Sequence, residues 1–341
     1  MAKTGFTTSN PLTKKAWDEK LHRDSVKESY FEKFMGEGSS SLCQVKNEFL
    51  KKQGDLCTFG LRMRLAGSGV TSGQQLVGNE EALVTYSDTV TLEQYRHAVR
   101  DKGRLDRQRP VFSITEESRV ALKDWGSEKI DQLCFDAITA SPTKVMYLDN
   151  SGNAATTGTP GTAQAALHAT NSKFDPTFLS YIKAGAKTGW NRTQIPLRPL
   201  KIKGKEYWVL LVHPDTLHDL KTHATYTQAQ REAQSRGGDN PIFSGAVGIW
   251  DGVVIHEHEN IPIAKDGGGA SVAWSESVFM GQQSLVWAWG QRPNTVQDSF
   301  DYENEIGTAW EMISGVTKTT FNSQDYGCVG VYMSRTSISD A

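Results

Sequence analysis

Two histidines in the run HEHE have the spacing of a metal site. His256 and His258 are alternate residues, and alternate residues of a strand project to the same face, so both imidazoles could bind one metal ion. Such a site needs a third protein ligand and an open position, and no residue in the sequence identifies that ligand. The other interpretation is an exposed strand end beside the turn from Asn260 to Pro262. A metal-dependent enzyme that uses this pair therefore stays open as one hypothesis.

Other patterns resemble known sites but lack a required part. The glycine-rich run 67–73, GSGVTSG, lacks the GK[ST] ending of a phosphate loop and does not precede a predicted helix. No GxSxG motif of a serine hydrolase occurs. The basic run from Arg100 to Arg109 has no interleaved aromatic residues, so we interpret it as a solvated or intersubunit charged face. Trp287 and Trp289 alternate along a predicted strand and are assigned to the core. We therefore expect no cofactor and no enzyme activity.

The composition is that of a soluble globular protein. The formal net charge of −2 and the pI of about 6.5 provide no electrostatic basis for tight binding to nucleic acid. No run of 18 apolar residues occurs, and the start MAKTGFTTSN lacks the apolar run of a signal peptide, so we expect a chain made in the cytosol without a membrane partner. Four scattered cysteines without a CxxC pair are expected to be free thiols.

Two alternating runs predict a β-hairpin with a long tip. The first runs from Leu56 to Ala66 and the second from Val84 to Leu92, each with one apolar and one polar face. The connection 67–81 is longer than the 2 to 5 residues that are usual in hairpin loops. An isolated two-stranded ribbon is marginal in water, so the apolar face must lie against the body of the chain or against another subunit.

The rest of the chain mixes helices with buried strands. A capping box at Ser113 and Glu116 begins a helix that runs to Ala140. Asp175 and Pro176 begin another, and a third follows the continuous apolar strand 206–212. Further strands are predicted at 252–258, 277–289 and 327–333. The segment 150–172 is interpreted as a loop excursion between domains, 224–240 as a polar loop, and 14–34 has a modest helical pattern.

Two stretches resemble a known family. The first is LRMRLAGSGVTSGQQLVGNEEALVTYSDTVTLEQYRHAV, and the second runs from EYWVLLVHPDTLHDLK through NPIFSGAVGIWDGVVIHEHENIP. Both resemble the major capsid proteins of tailed bacteriophages, in the branch typified by the coat protein of phage N-four. The resemblance implies an α+β fold of the Hong Kong-97 type. It further implies an N-terminal arm at 1–53, an extended hairpin loop at 54–96, a peripheral domain with a long spine helix at 97–149, an axial domain at 150–275, and a return to the peripheral domain at 276–341.

In that fold the hairpin loop lies across a neighbouring subunit, which would cover its apolar face. We therefore predict intersubunit contacts at Phe59, Leu61, Met63, Gly69, Gln74, Leu76, Asn79, Glu80, Arg104 and Arg107. Some relatives crosslink their shells through a lysine and an asparagine. The tip 67–81 contains Asn79 and no lysine, so we expect no crosslink through it.

The function implied is that of a major capsid protein, which self-assembles as hexamers and pentamers into the icosahedral shell around the double-stranded DNA genome of a tailed phage. The alternative within the same fold is the shell protein of a cellular nanocompartment. Expected partners are a separate scaffolding protein, a portal protein and packaged DNA held without sequence specificity, while a decoration protein is left open. The expected location is the virion capsid, after assembly in the host cytoplasm.

Overall fold

The computed structural model describes residues 29–47, 54–63, 65, 67–109, 113–192, 196–202, 204–234, 248–267 and 271–336. Much of the expected arm 1–53 lies outside these residues, including the start of the helical pattern 14–34. The end of the polar segment 224–240 also lies outside them, whereas its first part forms a helix, Ala224–Gln234.

The described elements are numbered in chain order. A 3-10 helix spans Tyr30–Phe34, and the α-helices are α1 (Arg104–Gln108), α2 (Ile114–Thr139), α3 (Pro160–Ala166), α4 (Pro176–Arg192), α5 (Pro214–Thr222) and α6 (Ala224–Gln234). The strands are β1 (Met35–Gly36), β2 (Cys43–Lys46), β3 (Leu56–Arg62), β4 (Thr85–Thr91), β5 (Glu93–Arg100), β6 (Val145–Leu148), β7 (Ala154–Thr157), β8 (Leu200–Ile202), β9 (Lys205–Val212), β10 (Gly248–Trp250), β11 (Val253–Glu257), β12 (Ile263–Asp266), β13 (Val272–Met280), β14 (Leu285–Phe300), β15 (Glu305–Lys318), β16 (Thr320–Phe321), β17 (Gln324–Asp325) and β18 (Cys328–Ser334).

The larger sheet is covered on both faces. Its main strand order is β10-β11-β9-β13-β18-β6-β7, with β12 beside β13 and β8 beside β9. On β9, Trp208 and Leu210 belong to a core cluster that includes residues of α4 and α5, whereas Val209 and Leu211 belong to a second cluster that includes residues of α2. Strands buried on both faces appear in sequence as continuous apolar runs. This explains why EYWVLLV correctly predicted a buried strand.

The second sheet, with strand order β1-β2-β14-β15-β5, packs against α2, the longest helix among the described residues. The predicted helix from Ser113 to Ala140 is confirmed as α2, and the Ser113 hydroxyl accepts a hydrogen bond of 3.4 Å from the Glu116 amide. Gly126 lies where α2 meets β15: a Cβ atom there would lie 3.0 Å from the indole of Trp310, which is fully buried. The glycine therefore permits close packing, which offsets its low helix propensity.

The predicted hairpin is confirmed as the antiparallel pair β3 and β4, in register from Leu56 opposite Thr91 to Arg62 opposite Thr85. Its base packs on its own chain. Cys57 and Val90 are buried together with Val286 and Ala288 of β14. The expectation that a neighbouring subunit covers the whole apolar face is therefore wrong at the base, because β14 already removes those side chains from water.

Two segments contain structure that their composition concealed. The expected loop 150–172 includes β7, which pairs with β6, and helix α3. Its small polar residues suit an edge strand that is only half buried. The predicted strand 277–289 is divided between β13 and β14 by the turn 281–284. Apolar residues on both sides of this turn gave the pattern of one strand.

The described part of the expected arm belongs to the core. Phe31, Leu42 and Cys43 are buried in the same cluster as α2, and β2 runs parallel to β14. The sequence concealed this because its few apolar residues are spread over a polar segment. Cys43 is buried where β2 pairs with β14, more than 200 residues away in sequence, and Phe31 is buried where it packs against Phe135 of α2.

Candidate assembly surface

The tip of the β3–β4 hairpin exposes an unusual number of large apolar side chains. Leu65, Leu76, Val77, Leu83 and Val84 are 47 to 82% exposed. Single exposed apolar residues are common on proteins, but a group of them on one projecting loop indicates a contact surface. We call these five residues the apolar tip.

Polar side chains shape the tip from within. The carboxylate of Glu81 accepts a hydrogen bond of 2.7 Å from the Gly67 amide, and the Asn79 side chain donates one of 2.8 Å to the Gln75 carbonyl. Glu80 accepts from the Gly78 amide at 2.7 Å, and Gln74 from the Thr71 amide at 3.2 Å. These bonds satisfy backbone groups locally, so the loop has a defined shape while its leucines and valines face water.

The predicted contact residues nearer the base have partners within the chain. The ring of Phe59 lies 5.9 Å from that of Phe321, edge to face. Phe59 and Leu61 line one groove together with Val286 and Tyr326. Met63 is half buried, and its amide donates to the Val84 carbonyl at 3.0 Å. Gly69, Gln74, Leu76, Asn79 and Glu80 lie further out and are exposed.

The two predicted arginines lie on α1, which is not part of the hairpin. Arg107 is committed to its own chain, because its guanidinium donates to the Asn304 carbonyl at 2.9 Å and pairs with Asp101 at 3.3 Å. The Arg104 amide donates to the Asn304 side chain at 3.3 Å, while its own side chain is exposed. The basic run is thus partly an internal brace for the turn that joins β14 to β15, a role that its composition did not indicate.

The histidine pair is a packing element. His256 is 8% exposed, and its Nδ1 atom lies 3.4 Å from the Lys33 amine. The His258 ring lies 4.5 Å from the Tyr30 ring and 4.4 Å from the Phe135 ring. Burial first, and the Lys33 charge second, lower the pKa of His256 to about 4. Both earlier interpretations need correction, because the strand end lies under the segment 30–34 and, among the described residues, no group of three potential ligands could hold a metal.

Asp131 is a structural residue that the sequence did not reveal. Its carboxylate accepts hydrogen bonds from the Ser29 hydroxyl at 2.6 Å, the Tyr30 amide at 2.8 Å and the Phe31 amide at 3.2 Å. A carboxylate at the start of a helical turn satisfies amides that have no partner within the turn. Asp131 thereby attaches the segment 29–31 to α2. An acidic residue beside the buried Ile130 was the available signal.

The remaining candidate residues are structural. Trp287 and Trp289 are 0 and 5% exposed, which confirms their assignment to the core. None of the four cysteines, all of which the structure describes, forms a disulfide, and all are buried; burial raises the pKa of Cys43 and of Cys328 to about 12. Within the part of the chain that the structure describes, no helix is long and apolar enough to span a membrane.

Comparisons with known proteins agree on one family. The family described as phage capsid protein matches residues 5–334. The major capsid protein of Pseudomonas phage KPP25 is 28% identical in an alignment that covers 97% of each chain. The capsid of Ralstonia phage GP4 superposes with a TM-score of 0.77 at 26% identity and covers 99% of both chains.

More distant structures share the fold. The capsid of cyanophage Pam1 superposes with a TM-score of 0.79 at 22% identity, over 98% of this chain and 99% of that one. The capsid of Helicobacter pylori bacteriophage KHP30 does so with a TM-score of 0.72 at 14% identity, over 90 and 91%. The α+β class and the capsid fold predicted from the sequence are thus confirmed. The chain belongs to the phage capsid protein family, and it is a major capsid protein with the Hong Kong-97-type fold.

Proposed function

We propose that this chain assembles with its own copies, as hexamers and pentamers, into the icosahedral shell that encloses the double-stranded DNA of a tailed phage. The observation that carries the proposal is the apolar tip, whose side chains are exposed although the loop itself is shaped by internal hydrogen bonds. Burying such a patch between copies would supply the favourable free energy of assembly.

The packing of the hairpin base indicates which part of the hairpin contacts a neighbour. Cys57 and Val90 at the hairpin base pack on β14 of their own chain, so we place the contact with a neighbour on the outer part of the hairpin. A tip that lies on a different surface of the next copy makes a head-to-tail contact, and such contacts close into rings when the rotation permits. The apolar tip, which includes Leu76, and the exposed residues Gly69, Gln74, Asn79 and Glu80 are proposed to make this contact, with Leu61 and Met63 at its edge.

We propose that the chain is divided into the segments of the capsid fold. The division into an arm at 1–53, a hairpin loop at 54–96, a peripheral domain at 97–149 and 276–341, and an axial domain at 150–275 remains our proposal. The helices support it, because α2 of the peripheral segment packs in one core cluster and α4 and α5 of the axial segment pack in another, while β6 and β18 of the peripheral segments share a sheet with β9.

The proposed partners are those of a shell assembled in the host cytoplasm. A separate scaffolding protein would guide curvature, a portal protein would occupy one vertex, and a decoration protein is an optional addition. A nearly neutral chain, with a formal charge of −2, suits a container that must hold DNA without binding it tightly.

The test compares a tip variant with a matched surface variant. Leu76→Ser combined with Val77→Ser removes two of the exposed apolar side chains, while Ile202→Ser changes another exposed aliphatic residue, on β8. Each protein is expressed with the neighbouring scaffold gene and examined by negative-stain electron microscopy. Wild type and Ile202→Ser should form shells, and the tip variant should remain as folded, unassembled subunits.

Two outcomes would contradict the proposal. Wild-type protein that stays monomeric in every assembly condition would refute the shell function itself. Shells formed equally well by the tip variant would refute the role of the apolar tip. A neighbouring cargo-enzyme gene, in place of portal and terminase genes, would favour the nanocompartment instead.

A further inference from the structure

The turn between β14 and β15 adopts a costly backbone in order to expose an aromatic ring. Asp301, Tyr302 and Glu303 have φ angles of 50°, 52° and 65°. This left-handed conformation is unfavourable for residues with a Cβ atom, and three in succession are rare. Tyr302 at the centre is 101% exposed. Strain at a fully exposed aromatic residue indicates a function outside the folding of the subunit.

The turn is braced from the neighbouring helix α1 and the end of β5. The Asn304 carbonyl accepts from Arg107 at 2.9 Å, and the Asn304 side chain accepts from the Arg104 amide at 3.3 Å. The Asp101 carboxylate accepts from the Ile306 amide at 2.8 Å. These contacts hold the turn in one shape before any partner binds, which lowers the entropy lost on binding.

Two more apolar side chains are exposed on the elements that form and brace the turn. Phe300, two residues before Tyr302, is 38% exposed, and Leu105 is 62% exposed on α1, between the two arginines that contact Asn304. The Phe300 ring is fixed by the Arg100 guanidinium, 4.2 Å from its centre. Gly307 lies beneath it, where a Cβ atom would approach the ring to 2.9 Å. We call Leu105, Phe300 and Tyr302 the second patch, since they lie on α1 and the β14–β15 hairpin and not on the β3–β4 hairpin of the apolar tip.

Charges of both signs flank the second patch. Asp298, Asp301 and Glu303 are exposed on the β14–β15 side, and Lys102 and Arg104 are exposed on the α1 side. One molecule therefore carries an acidic half and a basic half at the same end. A second copy that is rotated about an axis at this end can place its basic half against the acidic half of the first, and the same contact then repeats around the axis.

We propose that the acidic turn of one copy docks on α1 of the next copy, with Tyr302 inserted between them against Leu105. This contact rests on the proposed assembly into a shell, and it adds a second intersubunit surface to the apolar tip. The acidic half disfavours DNA as the occupant, because phosphates would meet Asp298, Asp301 and Glu303.

The first test identifies the partner surface directly. Tyr302 is replaced by the photoreactive p-benzoylphenylalanine, and shells are assembled from a mixture of ¹⁴N- and ¹⁵N-labelled subunits. After irradiation, mass spectrometry should find mixed-isotope crosslinks between residue 302 and the peptide containing 102–109. The same probe at Ile202, exposed on β8, is the position control. Crosslinks only within one copy, to another region of a second copy, or to the scaffold would overturn the proposal.

The second test reverses charges singly and together. Glu303→Arg or Arg104→Glu alone should lower the yield of shells by about tenfold, because each places like charges in contact. The double variant restores the opposite-sign pair and should recover assembly to within about twofold of wild type. Circular dichroism checks that all subunits are folded. Wild-type assembly by either single variant, or no recovery in the double variant, would overturn the contact, whereas absence of wild-type shells would refute the proposed function.

Discussion

Replacing Glu276 by glutamine should stabilise the subunit at about pH 8 and change its stability little at about pH 4. Glu276 lies on β13 and is only 7% exposed. Its Oε1 atom has no hydrogen-bond partner within the described residues. Burial raises the pKa of this carboxyl group to about 7, although a hydrogen bond from Tyr332 and the charge of Lys318 act in the opposite direction. A carboxylate is thus retained where its charged form is unfavourable.

The magnitude follows from the two pKa values. The unfolded chain releases the proton near 4.5 and the folded chain near 7. Each tenfold difference in proton affinity corresponds to about 1.4 kcal/mol, so the contribution of Glu276 to the free energy of unfolding changes by about 3 kcal/mol. Because the folded pKa is raised, this stability is fully present below pH 4.5, falls as the pH rises, and is lost once the pH has passed about 7. Glutamine has no proton to lose, so Glu276→Gln escapes this loss.

The assay is urea unfolding of the unassembled subunit, followed through its nine tryptophans. Wild type and Glu276→Gln are compared at about pH 4 and about pH 8, and all other titrating groups cancel in the difference. The variant should gain about 3 kcal/mol relative to wild type between these pH values. Tyr332→Phe is a second probe: without its hydrogen bond the carboxyl pKa should rise further. The reasoning would be refuted if wild type and Glu276→Gln differed in free energy of unfolding by the same amount at both pH values. That result would mean that folding does not raise the pKa of Glu276.

Three further predictions concern the packing of the subunit. Gly315→Ala should destabilise the subunit by about 1 to 3 kcal/mol in urea unfolding, because a Cβ atom would lie 2.2 Å from the Thr91 carbonyl oxygen. Gly161→Ala is the control and should be tolerated, because a Cβ atom there meets open space. His256→Asn should reduce the loss of stability in acid. Because the pKa of His256 is lowered in the folded chain, this residue contributes stability above pH 6.5 that is lost as the pH falls through about 4. An unchanged dependence of stability on acidic pH would contradict this. Asp131→Ala should speed hydrogen exchange of the amides in 30–34 by about tenfold or more, because charged hydrogen bonds to two of them are lost, and unchanged exchange would mean that the aromatic contacts hold the segment alone.

Much of the fold was predictable because its signals are local. A capping box began α2 at the correct residue, and the alternating runs located β3 and β4, although both strands are shorter than predicted. The continuous apolar run located β9. Each of these patterns reports which side of a single element is buried, and that requires no knowledge of what covers it.

The candidate site was only partly predictable. The exposed tip residues follow from a polar, glycine-rich loop that is too long for a simple turn. Phe59, on the apolar face of the hairpin, and Arg107, in the basic run, were predicted to contact neighbours. Phe321 and Asn304 of the same chain contact them, so the sequence missed these internal partners, and contacts of the two residues with another copy stay a prediction. A sequence shows that a side chain needs a partner, but it does not show whether that partner comes from the same copy.

Sequence by itself determined the main elements, the absence of any long apolar run, and, through two recognisable stretches, the family. Only the tertiary structure decided which apolar and charged side chains remain exposed and available to contact another molecule. His256 was withdrawn from solvent by the segment 30–34, Arg107 was committed to Asn304, and Tyr302 was left fully exposed. These outcomes depend on contacts between residues about 200 positions apart in sequence, and local periodicity carries no information about such contacts because it reports only the nearest few residues along the chain.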